Sequence, residues 1–142
     1  MDVETEGRAV TAPAWMPSTA EGAAVLPAGV HWDAARVPLG LGMDLVAAME
    51  RPQPVIRNQA NVTVAWLIPK GAAGDWPDLR HVDVLRAARA ARRLTVPAAT
   101  EVWERWDGGP ATSWRIAPRP GPLADPDVLL DALSRVLSRT VR

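Results

Sequence analysis

The stretch from Val55 to Ile68 constrains the fold more than any other part of this sequence. Two apolar runs, beginning at Val55 and at Val62, flank the polar residues 58–61, which is typical of a β-hairpin with its turn. Both faces of the second run are largely apolar, since Val62, Val64, Trp66 and Ile68 alternate with Thr63, Ala65 and Leu67. A strand with this pattern lies inside a sheet and not at its edge. The sequence therefore predicts a central strand.

Three further segments predict elements around this hairpin. Residues 30–38 fit a short strand that Pro38 ends, and residues 39–50 carry apolar side chains at helical spacing. Residues 103–118 are interpreted as a second hairpin, whose bend lies at Asp107, Gly108 and Gly109.

The C-terminal segment carries the clearest helix signal. Asp125 is suited to cap a helix, and Pro126 is favoured at its first position. An apolar stripe then follows at helical spacing, formed by Leu129, Ala132, Leu133, Val136 and Leu137. We predict an α+β fold with a small mixed or antiparallel sheet of about five to six strands, roughly two or three helices and a C-terminal amphipathic helix.

Residues 78–93 permit two interpretations. In the first, Asp78 caps a helix rich in alanine and arginine. The arginine face of that helix would either bind a phosphate backbone or lie in solvent and pair with acids of the chain. Alternatively, residues 81–85 and 94–97 are strands joined by a loop. The candidate nucleic-acid or anion contacts in this segment are Arg86, Arg89, Arg92 and Arg93.

Composition narrows the classes of function. Sixteen basic and sixteen acidic residues cancel, which argues against a general polyanion binder. The chain has no cysteine, so disulfides, thiolate metal sites and cysteine nucleophiles are excluded. No apolar run approaches the ~18–20 residues that span a bilayer, and the N-terminus opens on acids without a signal-sequence pattern. We expect a cytoplasmic protein without membrane contact, built as a flexible tail over residues 1–29 and a single α+β domain over residues 30–142.

Four stretches in chain order have the pattern of successive elements of a known domain. Residues 32–49 fit a strand and a helix, residues 54–69 a turn and a strand, residues 82–101 two strands joined by a turn, and residues 113–118 a strand. Together they resemble the later part of the primase–polymerase domain of the archaeo-eukaryotic primase superfamily. More closely, they resemble the short primase/polymerase-like proteins of actinobacteria. The resemblance implies a core that transfers a nucleotidyl group with divalent metals, held by clustered carboxylates and assisted by a histidine.

The chain departs from that family at the positions that carry the chemistry. Where the family has two acids one residue apart, Asp33 is followed by two alanines. Where it has a histidine, this chain has Asn61 followed by Val62 and Thr63. The third acid corresponds to Asp83. Asp33 and Asp83 are therefore the only catalytic candidates, and two lone carboxylates are a poor site for two metals. We expect no metal and no cofactor.

Three hypotheses follow for the function. The first is a non-catalytic binding or interaction domain derived from a primase/polymerase-like core, whose partner is a protein, a second copy or a nucleic acid. The second is a residual metal-dependent nucleotidyl-transfer or nucleic-acid-processing enzyme that uses Asp33 and Asp83. The third is a nucleic-acid-binding protein that uses the four arginines between residues 86 and 93.

Overall fold

The computed structural model describes residues 12–87 and 92–141, and the predicted α+β class is confirmed. The described residues form seven strands, slightly more than expected, and two helices. The strands are β1 (Ala23–Pro27), β2 (Asp33–Pro38), β3 (Val55–Asn58), β4 (Thr63–Ile68), β5 (Asp83–Leu85), β6 (Arg93–Pro97) and β7 (Thr112–Ile116), and the helices are α1 (Leu39–Ala48) and α2 (Pro126–Val141). No helix among these residues is long and apolar enough to cross a membrane.

Five strands form one antiparallel sheet in the order β5-β2-β4-β3-β7. The predicted hairpin is present as β3 and β4, which pair from Asn58 and Thr63 at the turn. β4 occupies the centre of the sheet, as its two apolar faces predicted. The other two strands, β1 and β6, pair antiparallel in a separate small sheet.

The five-stranded sheet is the middle of three layers. Trp66 and Ile68 of β4 face the helices, where they share a core with Leu129 and Leu133 of α2. Leu67, on the opposite face of β4, belongs to a second core that includes residues of the small sheet. The indole of Trp114 fixes the two sheets together, because its Nε1 donates a hydrogen bond to the carbonyl oxygen of Pro97 over 3.1 Å. Each face of β4 is thus buried in one of the two cores, which accounts for the apolar residues on both faces.

Local chemistry explains both helices. The Asp127 backbone N–H donates to the Asp125 carboxylate over 2.9 Å, which is the predicted cap. This hydrogen bond is the main reason that the pKa of Asp125 lies below its ordinary value. In α1, a Cβ at Gly42 would overlap the side chain of Val64. The glycine that weakens α1 by propensity therefore lets it approach β4 closely.

The two strands of the strand–turn–strand alternative are present, and the interpretation as a helix is wrong for the described residues 78–87. Residues 88–91 of the predicted loop lie outside the described residues. Asp83–Leu85 pairs with β2, while Arg93–Pro97 pairs with β1 in the other sheet. The chain crosses from one sheet to the other within this segment. Backbone pairing to two distant strands outweighed the helix propensity of alanine and arginine.

Two other predictions need correction. Residues 103–106 form no strand, so the second hairpin is wrong, and β7 pairs with β3 instead.

The predicted tail boundary at residue 29 lies too late, because Ala23–Pro27 forms β1 and the Met16 side chain is buried. The apolar alternation of β1 is weak, and its conformation depends on its partner β6. Residues 1–11 lie outside the described residues.

Candidate functional site

The two predicted catalytic carboxylates lie on opposite faces of the five-stranded sheet. Asp83 pairs with Arg36 of β2, so their side chains share a face. Asp33 is three residues before Arg36 on the same strand, and side chains alternate along a strand, so Asp33 points to the other face. There it is buried, and its Oδ2 accepts a hydrogen bond from the Gly71 backbone N–H over 2.8 Å. The pair cannot flank one metal ion.

Asn61, where the resemblance implies a histidine, is also remote from these acids. Asp33 pairs with Ile68 at one end of the β2–β4 ladder, and Pro38 pairs with Thr63 at the other. Asn61 lies in the turn beyond Thr63, so it is at least ~17 Å from Asp33 along the strands. Within the described ranges, no group of three or more histidine, aspartate or glutamate side chains is placed to hold a metal ion. The residues present do not fit the metal centre that the resemblance implies.

Asp83 is instead the centre of an ion-pair cluster with Arg36 and Arg92. Its Oδ2 accepts hydrogen bonds from Arg36 Nη2 over 2.7 Å and from Arg92 Nη2 over 2.8 Å. Arg92 also reaches Oδ1 over 3.0 Å. Partial burial raises the pKa of Asp83, and the hydrogen bonds and charges of the two arginines lower it by a larger amount. The pKa of Asp83 is therefore below its ordinary value. Asp83 is therefore a charged structural partner and not a proton acceptor.

The candidate anion contacts do not form one basic patch. Arg92 is engaged with Asp83 on the face of β5 that looks toward the small sheet. Arg86 follows Val84 by two residues and lies on the opposite, helix-side face. Arg93 is exposed and points away from the core, because its neighbour Leu94 is the inward residue of β6. Arg89 lies outside the described residues. The three arginines that are described point in three directions.

A cleft of about 300 Å³ lies beside β5, an edge strand that pairs, within the described residues, with β2 alone. Six of the eight residues that line it are apolar and two are charged, but the surface that the cleft exposes is mostly polar. The eight are Ala73, Trp76, Pro77, Asp78, Leu79, Val82, Val84 and Arg86. In the described parts of the chain, Asp78 and Arg86 have no ion-pair or hydrogen-bond partner. We call β5 and this cleft the β5 edge.

The opposite edge strand, β7, is covered by the chain itself. The Trp114 backbone N–H donates to the Glu101 carbonyl over 2.8 Å, and the Trp103 N–H donates to the Trp114 carbonyl over 2.9 Å. Beyond this contact, residues 106–110 form a loop that Arg57 holds. We call this arrangement the β7 edge.

Arg57 is the buried charged residue of this edge that sequence reasoning missed, and its role is structural. Its guanidinium, 1% exposed, donates to the carbonyl oxygens of Trp106, Gly108 and Pro110 over 3.0, 2.7 and 2.9 Å. Burial lowers the pKa of Arg57, the charge of Asp107 raises it, and the charge of Arg115 lowers it again. The available signal was an arginine inside an otherwise apolar strand, where an unpaired charge would be costly.

Comparisons with family models, with curated proteins and with solved structures gave no match to this chain. The geometry of the two edges and of the residues around them is therefore the basis for a function.

Proposed function

We propose that this protein is a non-catalytic interaction domain, derived from a primase/polymerase-like core, that binds a protein partner at the β5 edge. The observation that carries the proposal is that β5, among the described residues, has a hydrogen-bonded neighbour on one side only and lies beside a cleft lined by Trp76, Leu79 and Val84. Such an edge is a template for a strand from another protein.

Strand addition would use the backbone and the cleft together. In an antiparallel ladder, alternate backbone groups of an edge strand point away from its partner. An incoming strand would accept and donate hydrogen bonds there and extend the sheet beyond β5. Its side chains on the helix-side face would contact Trp76, Leu79 and Val84, which are partly buried in the cleft. Burial of these side chains would add to the backbone hydrogen bonds of the new strand pair.

Three features favour a binding role over catalysis. Asp33 and Asp83 point to opposite faces, Asn61 replaces the histidine at the far end of the sheet, and Asp83 is bound by two arginines. Hard divalent cations require several converging oxygen ligands. A core with this arrangement is suited to present a surface, and the resemblance then accounts for its origin.

A protein partner is favoured over a nucleic acid because of the charge distribution. Binding to a phosphate backbone gains from several arginines or lysines on one surface. Here Arg86 and Arg93 point away from each other, Arg92 is bound to Asp83, and the whole chain has a net charge of zero. The cleft contributes one residue of each sign.

Titration calorimetry tests the non-catalytic part of the proposal. The full chain is titrated with magnesium or manganese chloride in the presence of a nucleoside triphosphate. We expect no saturable heat. Micromolar binding that requires the metal, and that is lost in Asp33→Asn or Asp83→Asn, would overturn the proposal.

A displayed library of random peptides tests the binding part. We expect the wild-type chain to enrich peptides with extended, alternating apolar patterns, and Val84→Lys to lose their binding because a charge is placed on the edge strand. Val25→Lys is the matched control, since Val25 is 56% exposed on β1, remote from the cleft. Enriched peptides that bind all three proteins equally would contradict binding at the β5 edge.

A further inference from the structure

We infer that the partner strand at the β5 edge belongs to a second copy of this chain. This inference rests on the proposed function and names its partner. Two copies would meet through their β5 strands, antiparallel about a two-fold axis that passes beside Val84. The two five-stranded sheets would then form one continuous sheet across the dimer.

In a two-fold dimer, the same surface patch lies on both sides of the interface. That patch must therefore contain both partners of every contact. The cleft meets this condition in its charges. It contains one acid, Asp78, and one arginine, Arg86, and neither has a partner within residues 12–87 and 92–141. About an axis at Val84, Arg86 lies opposite Val82 of the second copy, in the cleft that Asp78 of that copy lines. Each interface would thus gain two equivalent ion pairs.

The apolar part of the cleft is self-complementary in the same way. Val84 of one copy would lie against Val84 of the other, and the partly buried Trp76, Leu79 and Val82 would flank this contact on both sides. Aromatic and aliphatic side chains at the centre with charges outside them are the usual arrangement of a protein interface. The net charge of zero adds no long-range repulsion between copies.

The ion-pair cluster on the other face of β5 would lie close to the axis. Asp83 would lie opposite Leu85 of the second copy, and each Asp83 carboxylate is bound by Arg36 and Arg92 over 2.7 and 2.8 Å. One acid with two arginines leaves one net positive charge for each copy, so the attraction between copies is assigned to Asp78 and Arg86 and not to this cluster.

Sedimentation equilibrium with complementary charges at residue 84 tests the inference. We expect the wild-type chain to form a dimer, and Val84→Lys and Val84→Glu each to be monomeric, because like charges meet at the axis. A mixture of the two variants is expected to form a heterodimer, since only an interface in which residue 84 faces itself brings lysine to glutamate. Val25→Lys is the control and is expected to dimerise like the wild type.

A second pair of variants keeps the test informative if changes at Val84 disturb folding, which circular dichroism detects. Arg86→Asp and Asp78→Arg each leave two like charges in the proposed contact, and we expect each to weaken the dimer roughly tenfold or more. The double variant, with the signs exchanged, is expected to recover most of the wild-type affinity.

The possible failures are distinguishable. A wild-type chain that is monomeric at every concentration would overturn the homodimer, as would a dimer that persists in all four single variants at residues 78, 84 and 86. If the selected peptides still bind the wild type and not Val84→Lys, the proposed function stands with another protein as partner. If neither peptides nor a second copy bind, both proposals fail.

Discussion

The two edge strands of the five-stranded sheet, β7 and β5, differ in what lies against their outer side. At the β7 edge, residues 101–103 bond to Trp114, and Arg57 holds the loop that follows through three carbonyl oxygens. At the β5 edge, a strand of three residues has β2 on one side and the cleft beside it. Exposed strand edges invite unwanted pairing, and proteins usually protect them. The described residues cover the β7 edge and not the β5 edge, and this difference is the basis of the proposed binding at β5.

The largest effect is expected when the cover of the β7 edge is removed. Arg57→Ala removes the side-chain donor of the Trp106 carbonyl, leaves Gln59 Nε2 as the donor to the Gly108 and Pro110 carbonyls, and opens a cavity in the sheet face. We therefore expect the free energy of unfolding to fall by about 3 kcal/mol. Urea denaturation measures this loss. Arg93→Ala, at an exposed arginine, is the control and should stay within about 0.5 kcal/mol of the wild type. Equal effects of the two substitutions would show that Arg57 does not hold this edge.

A smaller loss is expected from the loop itself. Gly109 has φ +77°, and a Cβ there would lie 2.5 Å from the ring of Trp103. Gly109→Ala therefore strains the backbone and displaces the indole, and we expect a loss of about 2 kcal/mol in urea denaturation. Gly121→Ala, where a Cβ meets nothing within 4 Å, is the matched control and should be near neutral. A neutral Gly109→Ala would contradict tight packing of the loop on Trp103.

At the β5 edge, the Asp83 cluster is expected to contribute modestly and with a defined pH dependence. The pKa of Asp83 is lower in the folded chain than the ~3.9 of an unfolded aspartate, so its contribution is complete above that value and disappears as the pH falls through the folded pKa. Because the side chain is 42% exposed, we expect Asp83→Asn to cost at most about 1 kcal/mol at pH 7.

Thermal unfolding between pH 2 and pH 7 measures this dependence. The difference between the wild type and Asp83→Asn should shrink as the solution becomes acidic. Asp44→Asn, at an exposed helix position, provides the control. A difference that grows toward acid pH would contradict the assigned ion pairs.

The smallest effect on stability is expected at Arg86. Since this arginine has no partner within the described parts of the chain, Arg86→Ala should change the free energy of unfolding by less than about 0.5 kcal/mol. The same substitution should weaken association of the chain measurably. A large loss of stability without any change in association would assign Arg86 to the fold and not to the binding surface.

Local patterns predicted those parts of the fold whose signals are local. The alternation along Val62–Ile68 and the cap and stripe after Asp125 were sufficient for β4 and α2. The second hairpin failed because its glycine-rich bend is held by Arg57, about fifty residues earlier, and because β7 pairs with β3. β1 was missed because its short, weakly alternating sequence depends on β6 for its conformation.

The site depends on strand register, which the sequence did not reveal. Asp33 and Asp83 were both recognised as candidates, but only the pairing of Asp83 with Arg36 shows that they point to opposite faces. The cleft brings together residues from 73 to 86 that converge only once β5 has joined β2. That β5 lies at an edge follows from the order of all five strands and not from its own residues.

Hydrogen exchange of individual backbone amides tests the central claim, that the β5 edge receives a strand while the β7 edge is closed. In dilute protein, we expect the outward-pointing amides of Asp83–Leu85 to exchange rapidly and the Trp103 and Trp114 amides to be protected. Raising the protein concentration, or adding a selected peptide, should slow exchange in β5 and leave the β7 edge unchanged. The account is contradicted if protection appears elsewhere, or if the Trp114 amide exchanges as fast as those of β5.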